Sequence, residues 1–246
     1  MAKDVDSFII MAANDHWKGA LQSHSKVANI KLMTPEDRSK GLPPSPVGKD
    51  AEILEVTKRI CSSGLGEGMD ESKGTKRAAS YRNEVSHLIS DGASLVNSHA
   101  LHAACALNDI YVAKTILDMD ASTLESRDVH NATPLFLAAA YMAGQSNNSG
   151  FPLEHPMIDF LLDAGADKDA TNSEGLTAYG TFKSYNRNYQ QSIQAMMGNA
   201  VFNDELMVPG QAALEMKLMP RGGPTAADLS YGEGADRGYV EYDDDY

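Results

Sequence analysis

The sequence predicts an all-α fold built from repeated pairs of short helices. Apolar residues recur at helical spacing in two successive lines of sequence, 99–121 and 133–167. The two lines share one register: Leu101 is followed 34 residues later by Leu135, and the pair of alanines after each leucine recurs at the same interval. Self-similarity at a period near 33 residues is typical of stacked helical repeats.

Each line contains the residue types that closely packed helices need. Alanines on the first helix let neighbouring helices approach, and large aliphatic residues on the second helix fill the space between repeats. Pro134 suits the first turn of a helix, and Thr133 before it is a predicted N-cap. Gly165 lies where a helix C-terminus requires a positive φ.

These two lines resemble consecutive ankyrin repeats. In the second line the resemblance rests on residues 133–135 (Thr-Pro-Leu), the alanine pair 138–139 and the Gly-Ala-Asp turn 165–167. The family combines a Thr-Pro-Leu-His opening, paired alanines, a second apolar helix and a closing turn. The resemblance implies an ankyrin-repeat solenoid of helix-turn-helix units, with connecting hairpin loops and flexible inserts.

The intervals between equivalent residues place the repeat domain at 51–200, with two inserts. Equivalent second-helix positions of the two lines are 45 residues apart, so an insert of about eleven residues is predicted, within 143–155. A preceding repeat is predicted to carry a polar insert at 63–78. A third repeat opens at Thr177, and its second helix is predicted at 192–198, in the polar composition of a C-terminal cap.

The two ends of the chain differ from this domain. Residues 1–50 are predicted to hold an N-terminal helical segment and a proline-rich linker. Within them, 6–23 can be interpreted as a degenerate capping repeat or as a lone amphipathic helix. Residues 201–246 are predicted to be a low-structure acidic tail rich in tyrosine and aspartate, with one short helix at 211–219.

Composition excludes several classes of function. The 246-residue chain has a net charge of −13 and no cluster of lysine and arginine, so neither nucleic acid nor an anionic membrane is an expected partner. Its two cysteines, Cys61 and Cys105, are too few for a disulfide framework and fit a reducing compartment. We expect a monomer in the cytoplasm, with the nucleus as the alternative, because no signal peptide is recognisable at the N-terminus.

The sequence contains no catalytic constellation, so no enzymatic activity, cofactor or metal is predicted. His99, His102 and Cys105 are spaced by three, which spreads them over different faces of a helix rather than gathering them around a metal. Packing and a structural hydrogen bond are the expected roles. The glycines at 64–68 lack the preceding strand and the lysine spacing of a phosphate-binding loop.

Binding therefore remains as the predicted function, namely a non-catalytic interaction module for a protein partner. In the ankyrin family the hairpin tips and the exposed ends of the first helices contact partners, and here those helix ends include Leu107. The predicted contact residues are Arg127, Val129, His130, Tyr141, Thr171, Ser173, Glu174 and Tyr185. The acidic balance of the chain favours a partner with a basic surface.

An alternative prediction is a regulatory protein that is switched by phosphorylation and controls a partner enzyme. Thr34 and Ser45 each precede a proline, Ser80 follows an arginine by three residues, and Tyr242 lies in the acidic tail. Such short patterns also occur by chance in solvated segments. An undetected enzyme is the third alternative and the one that the sequence favours least.

Overall fold

The computed structural model describes residues 46–64, 70–145, 154–183 and 209–233, and this part of the chain is all-α, without strands. The helices are α1 (Gly48–Ser62), α2 (Glu71–Ser90), α3 (Ala100–Ala106), α4 (Ile110–Met119), α5 (Pro134–Gln145), α6 (Pro156–Asp163), α7 (Pro209–Leu218) and α8 (Ala226–Glu233). A 3-10 helix, Ala121–Glu125, follows α4, and residues 178–183 form a further helical segment. None of the described helices has the length and hydropathy to cross a bilayer.

The first six helices are arranged in two layers. Helices α1, α3 and α5 contact one another in sequence order, and α4 packs against α2 on one side and α6 on the other. Each helix also packs against its sequence neighbour in the other layer, giving the pairs α1–α2, α3–α4 and α5–α6. The described chain therefore contains three helix pairs stacked side by side.

Small residues allow this close stacking. Ala103 and Ala104 on α3, and Ala138 and Ala139 on α5, are all buried where these two helices meet. Larger aliphatic side chains on the second helices complete the core, among them Ile116, which is fully buried. The division between alanines on first helices and aliphatics on second helices is the one that the sequence predicts.

Two of the second helices end in the same turn. In α2, the N–H of Ala93 donates to the carbonyl oxygen of Leu88 at 3.0 Å, and in α6 the N–H of Ala166 donates to that of Leu161 at 2.9 Å. The glycine before each of these alanines has a positive φ, +94° at Gly92 and +96° at Gly165. This is the Schellman motif, and it confirms the conformation predicted at Gly165.

The predicted polar insert at 63–78 is too long at its C-terminal end, because α2 already begins at Glu71. The side chain of Asp70 caps the helix by accepting from the N–H of Lys73 at 3.1 Å. Gly74 is buried beneath the ring of Tyr111 on α4. This contact between helices stabilises the start of α2, where the polar composition had suggested a loop. Around the second predicted insert, 143–155, α5 extends to Gln145 and α6 begins at Pro156.

The prediction of low structure throughout 201–246 is wrong for residues 209–233, which form α7 and α8. Helix α7 confirms the short helix predicted at 211–219 and buries Leu214 and Leu218 completely. Lys217 on α7 pairs with Asp159 on α6 at 2.6 Å, so α7 lies against the last described second helix. Leu214 and Leu218 thus give α7 a buried apolar face, which the acidic composition of the tail did not suggest.

Other predicted segments lie outside the described residues. These are the N-terminal segment with its candidate capping repeat at 6–23, the predicted second helix at 192–198, and the acidic end of the tail.

Candidate functional site

Two turns with the same hydrogen bonds lie 44 residues apart. In the first, the Asp128 carboxylate accepts from the N–H groups of His130 at 2.9 Å and Ala132 at 2.8 Å. In the second, the Asn172 side-chain oxygen accepts from the N–H groups of Glu174 at 2.9 Å and Leu176 at 3.0 Å. The chain uses the same local chemistry at equivalent positions of two successive helix pairs, since Asp and Asn side chains readily bond the backbone two residues ahead.

The backbone closes both turns in the same way. The N–H of Asp128 donates to the carbonyl of Ala132 at 3.0 Å, and the N–H of Asn172 donates to that of Leu176 at 2.9 Å. The residue before each closing position has a positive φ, +59° at Asn131 and +80° at the glycine that precedes Leu176. Asn and Gly are the residues that adopt this conformation at least cost.

Direct hydrogen bonds hold the two turns side by side. The N–H of Ser173 donates to the carbonyl of His130 at 2.9 Å. The Arg127 guanidinium donates from Nη1 to the carbonyls of Asn131 and Thr171, each at 2.9 Å. Residues 127–132 and 171–176 therefore form one continuous surface, which we call the hairpin pair.

A buried histidine on α3 anchors the hairpin pair to the helices. His102 Nε2 lies 2.9 Å from the carbonyl oxygen of Ala132, and since a carbonyl only accepts, Nε2 carries the proton. The His99 ring packs edge-on against His102, with ring centroids 5.4 Å apart. Burial is the main cause that lowers the pKa of each histidine from 6.5 to about 4. Both are therefore neutral at physiological pH. The bond from His102 to Ala132 confirms the structural hydrogen bond predicted for this histidine pattern.

Asp128 is the most unusual electrostatic feature of the hairpin pair. Its side chain is almost completely buried, and this burial raises the pKa of its carboxyl. The nearby His130 side chain and the two backbone N–H groups that donate to the carboxylate lower this pKa. Asp128 therefore serves the fold of the turn and is not available to a partner.

The predicted contact residues of the hairpin pair divide into two groups. Arg127 is half-buried, and its Nη1 donates to backbone carbonyls. It therefore positions the two turns and is not a direct contact for a partner. Thr171 contributes its carbonyl to the same bonds. Ser173 is exposed, and three half-buried side chains accompany it on the surface, namely Val129, His130 and Glu174.

The contact residues predicted at the helix ends differ in how exposed they are. Tyr141 on α5 is half-buried and packs partly against the core. Leu107, expected to be exposed at the end of α3, is 3% exposed and belongs to the core. Its burial follows from the turn after α3, in which Asn108 takes a positive φ of +54° and reverses the chain over the helix end. Tyr185 lies outside the described residues.

The C-terminal segment covers the start of helical segment 178–183. The Asp228 carboxylate at the first turn of α8 accepts from the N–H of Thr177 at 2.8 Å and from its hydroxyl at 2.9 Å. The hydroxyl of Thr225 donates to the carbonyl of Gly175, which belongs to the hairpin pair, at 3.1 Å. Sequence reasoning missed this contact, because its residues lie about 50 positions apart and match no local motif.

No metal-binding cluster of His, Cys, Asp and Glu side chains is present among the described residues. Cys105 is fully buried, its thiol 3.9 Å from the sulfur of Met157, and burial raises the pKa of this thiol. Burial likewise raises the pKa of the Cys61 thiol well above its usual range. Both thiols are therefore protonated packing groups, which disfavours nucleophilic chemistry at either of them.

Of the four predicted phosphorylation sites only Ser80 is described. It is exposed on α2, and its hydroxyl donates to Glu84 at 3.2 Å, one helical turn ahead. Arg77, which made Ser80 resemble a kinase site, is instead paired with buried Asp109 at 2.8 Å. The predicted sites Thr34, Ser45 and Tyr242 lie outside the described residues.

Asp128 and Asn172 are the site residues that sequence reasoning overlooked. The signal was available, because each is followed three residues later by Asn or Gly, the pairing of an Asx turn with a left-handed residue.

Neither the comparison with protein-family models nor the comparison with curated proteins gives a match for this chain.

Proposed function

We propose that this chain is an ankyrin-repeat protein that acts as a non-catalytic interaction module for another protein. The observation that carries the proposal is the pair of equivalent turns at Asp128 and Asn172, joined edge to edge. Adjacent hairpins of this kind place short side-chain segments beside one another, clear of the helix core. Loops held on a rigid scaffold are the usual place for recognition residues.

The two-layer arrangement of α1 to α6 supports the same proposal. In a repeat array each helix pair contacts only its neighbours, and the ends need polar or covered surfaces. The contact of Asp228 with Thr177 supplies such a cover at the C-terminal end. In this account α7 lies where the second helix of a last repeat belongs, and α8 caps the stack.

The proposed contact surface consists of the outward side chains of the hairpin pair, with Tyr141 beside them. Val129, His130, Ser173 and Glu174 would touch the partner directly. Arg127 would act through them, by holding the two turns in register. Tyrosine is a frequent anchor in protein interfaces because it combines a large apolar ring with a polar tip.

The chemistry of the partner follows from charge. A chain of net charge −13 attracts basic surfaces and repels nucleic acid and anionic lipids, so we propose a protein partner with a basic face. The buried, protonated cysteines fit a reducing compartment, and we propose the cytoplasm or the nucleus. In this account the chain itself is monomeric.

The test is affinity capture from a eukaryotic cell lysate with the full chain as bait, followed by mass spectrometry. A tip variant combines Val129→Ser, His130→Ala and Ser173→Lys, and leaves the turn-forming Asp128 and Asn172 intact. The matched control, Arg82→Ala with Ser86→Ala, changes exposed residues on the outer face of α2. Circular dichroism is used to check that both variants keep their helices.

We expect a basic protein to be retained by the full chain and by the control, and to be lost from the tip variant. Equal capture by all three chains would move the binding surface away from the hairpin pair. A chain ending after Glu233 separates the role of the acidic end from that of the stack. Truncation there keeps the Asp228 contact intact, whereas a cut nearer to α7 would remove it.

A further inference from the structure

An open groove of about 580 Å³ lies between α1 and α2, on a part of the molecule that the proposed function does not use. Its apolar wall consists of Ala51, Val56 and Leu88, and the carboxylates of Glu52, Glu55 and Glu84 line it as well. Val56 and Leu88 are only partly buried, although both pack against the hydrophobic core. The groove therefore leaves core-facing apolar surface uncovered.

The groove is lined by residues of α1 and α2 alone. On α2, Gly74 and Arg77 contact α4, whereas Glu84 and Leu88 lie about two and three turns further along the helix, beside α1. No described helix precedes α1 to cover this side. An end of a helical stack that exposes apolar surface requires a cover.

The carboxylates give the groove an acidic character that is only partly compensated. Glu55 pairs with Lys58 at 2.8 Å, and Glu84 pairs with Arg59. Glu52 is exposed and has no ion-pair partner among the described residues. The Glu84–Arg59 pair is exposed and contributes little, so a cationic ligand can compete for Glu84, whereas Lys58 in the other pair is buried.

We propose that this groove is the docking site of the chain's own segment 26–33, Lys-Val-Ala-Asn-Ile-Lys-Leu-Met. The segment carries two lysines, five apolar residues and no carboxylate, which complements an apolar groove lined by three glutamates. Val27, Ile30 and Leu32 supply the apolar contacts, and Lys26 and Lys31 face the glutamates. The docked segment covers the open end of the stack.

Chain connectivity favours this occupant over any separate molecule. The described structure begins at Pro46, and Gly48, two residues later, already lines the groove. Twelve residues, 34–45, connect the segment to Pro46 and can span up to about 40 Å when extended. Glu55 lies only about 10 Å along α1 from Gly48, so the connection reaches the whole groove. A short tether gives such a segment an effective concentration on the order of millimolar.

The test is zero-length carbodiimide cross-linking of the full chain at low concentration, with the cross-linked peptides identified by mass spectrometry. An equal mixture of ¹⁴N-labelled and ¹⁵N-labelled chains separates links within one chain from links between two chains. We expect amide links from Lys26 or Lys31 to Glu52, Glu55 or Glu84 within a single chain. In the double variant Ile30→Ser with Leu32→Ser, which keeps every reactive group, we expect the yield to fall roughly tenfold.

Two matched controls make the result specific. Leu42→Ser lies in the connecting residues and is expected to leave the yield unchanged. Glu52→Lys is expected to reduce the remaining links to Glu55 and Glu84, whereas Glu71→Lys, at the far end of α2, is expected to leave them unchanged. Circular dichroism confirms that each variant is folded.

Four outcomes would overturn the proposal. Links of mixed isotope composition would assign the groove to a second copy of the chain. Links from Lys18 in place of Lys26 and Lys31 would assign it to a different N-terminal segment. A yield that is insensitive to Ile30→Ser with Leu32→Ser would show that the lysines meet the glutamates only by collision. No link at all would leave the groove to a basic peptide from another protein.

Discussion

The carboxylate of Asp228 accepts hydrogen bonds from both the backbone N–H and the hydroxyl of Thr177, which lies 51 residues earlier in the chain. Asp228 is 6% exposed and also accepts from the N–H of Thr225 at 2.9 Å. One side chain thus closes the first turn of α8 and fixes the start of segment 178–183. This contact joins α8 to the folded domain.

Replacing Asp228 by alanine should destabilise the protein by about 2–4 kcal/mol, because two buried groups of Thr177 lose a charged partner. Asp228→Asn should cost less, since its side-chain oxygen still accepts one of these bonds. Urea unfolding of the full chain measures both effects. The control is Asp163→Ala, an exposed residue at the end of α6, which should change stability by no more than about 0.5 kcal/mol. Equal effects of the two alanine variants would remove the structural role assigned to Asp228.

The ion pair of Arg77 and Asp109 ties α2 to α4 in a buried position. Arg77→Ala should cost about 3–5 kcal/mol, because it leaves the Asp109 charge buried without compensation. Arg82→Ala is the matched control, since it breaks an exposed pair with Asp118 between the same two helices and should cost less than about 1 kcal/mol. Similar losses of unfolding free energy for the two variants would contradict the difference in burial.

Gly74 allows α2 to pack closely against α4. A Cβ at this position would lie 2.1 Å from the Tyr111 ring, so the ring would have to move. Although alanine favours helix by up to about 1 kcal/mol over glycine, we expect Gly74→Ala to lower the unfolding free energy by at least about 1 kcal/mol through overpacking. Combining it with Tyr111→Ala should relieve the clash, so that the two effects are not additive. A stabilising Gly74→Ala would show that α2 and α4 are farther apart than described.

His99 and His102 should make the protein less stable in mild acid. Their folded pKa values of about 4 lie below the ordinary value of 6.5, so the unfolded chain binds protons that the folded chain does not. Stability is therefore complete above about pH 6.5 and falls as the pH is lowered towards 4, by about 1.4 kcal/mol per pH unit for each histidine. Asp128, whose carboxyl pKa is raised, opposes this loss at the acid end of the range.

The variant His102→Gln tests this pH dependence, because glutamine can still donate to Ala132 but does not titrate. Urea unfolding between pH 7 and pH 4.5 should show a pH slope that is smaller by about one proton. The control Asn83→Gln changes an exposed side chain of α2 that does not titrate, and it should leave the slope at that of the wild type. An unchanged slope in His102→Gln would mean that His102 is already protonated in the folded protein.

The helix pairs were predictable from sequence because their signal is local and periodic. The alanine pair at 138–139 and the glycine at 165 each reflect a packing or backbone requirement within one helix pair, and the structure places them as expected. The structural role of His102 was predictable from its position in the repeated pattern, although its hydrogen bond to Ala132 spans 30 residues.

The predictions that were wrong concern contacts between distant residues. Gly74 appeared to belong to a loop because the local sequence contains no sign of its contact with the ring of Tyr111. Leu107 appeared exposed because the turn that folds over it depends on the left-handed Asn108. Helix α8 was missed because its anchor, Asp228, finds its partner 51 residues earlier.

Hydrogen exchange on the full chain, with and without the captured partner, maps the binding surface residue by residue. If the hairpin pair is the binding surface, the partner should slow exchange at the exposed amides of 127–132 and 171–176, while amides of α2 remain unchanged. Amides already bonded within the turns, such as that of Ala132, serve as internal references. Protection confined to α1 and α2, or to α7 and α8, would contradict the claim that the stack binds its partner through the hairpin pair.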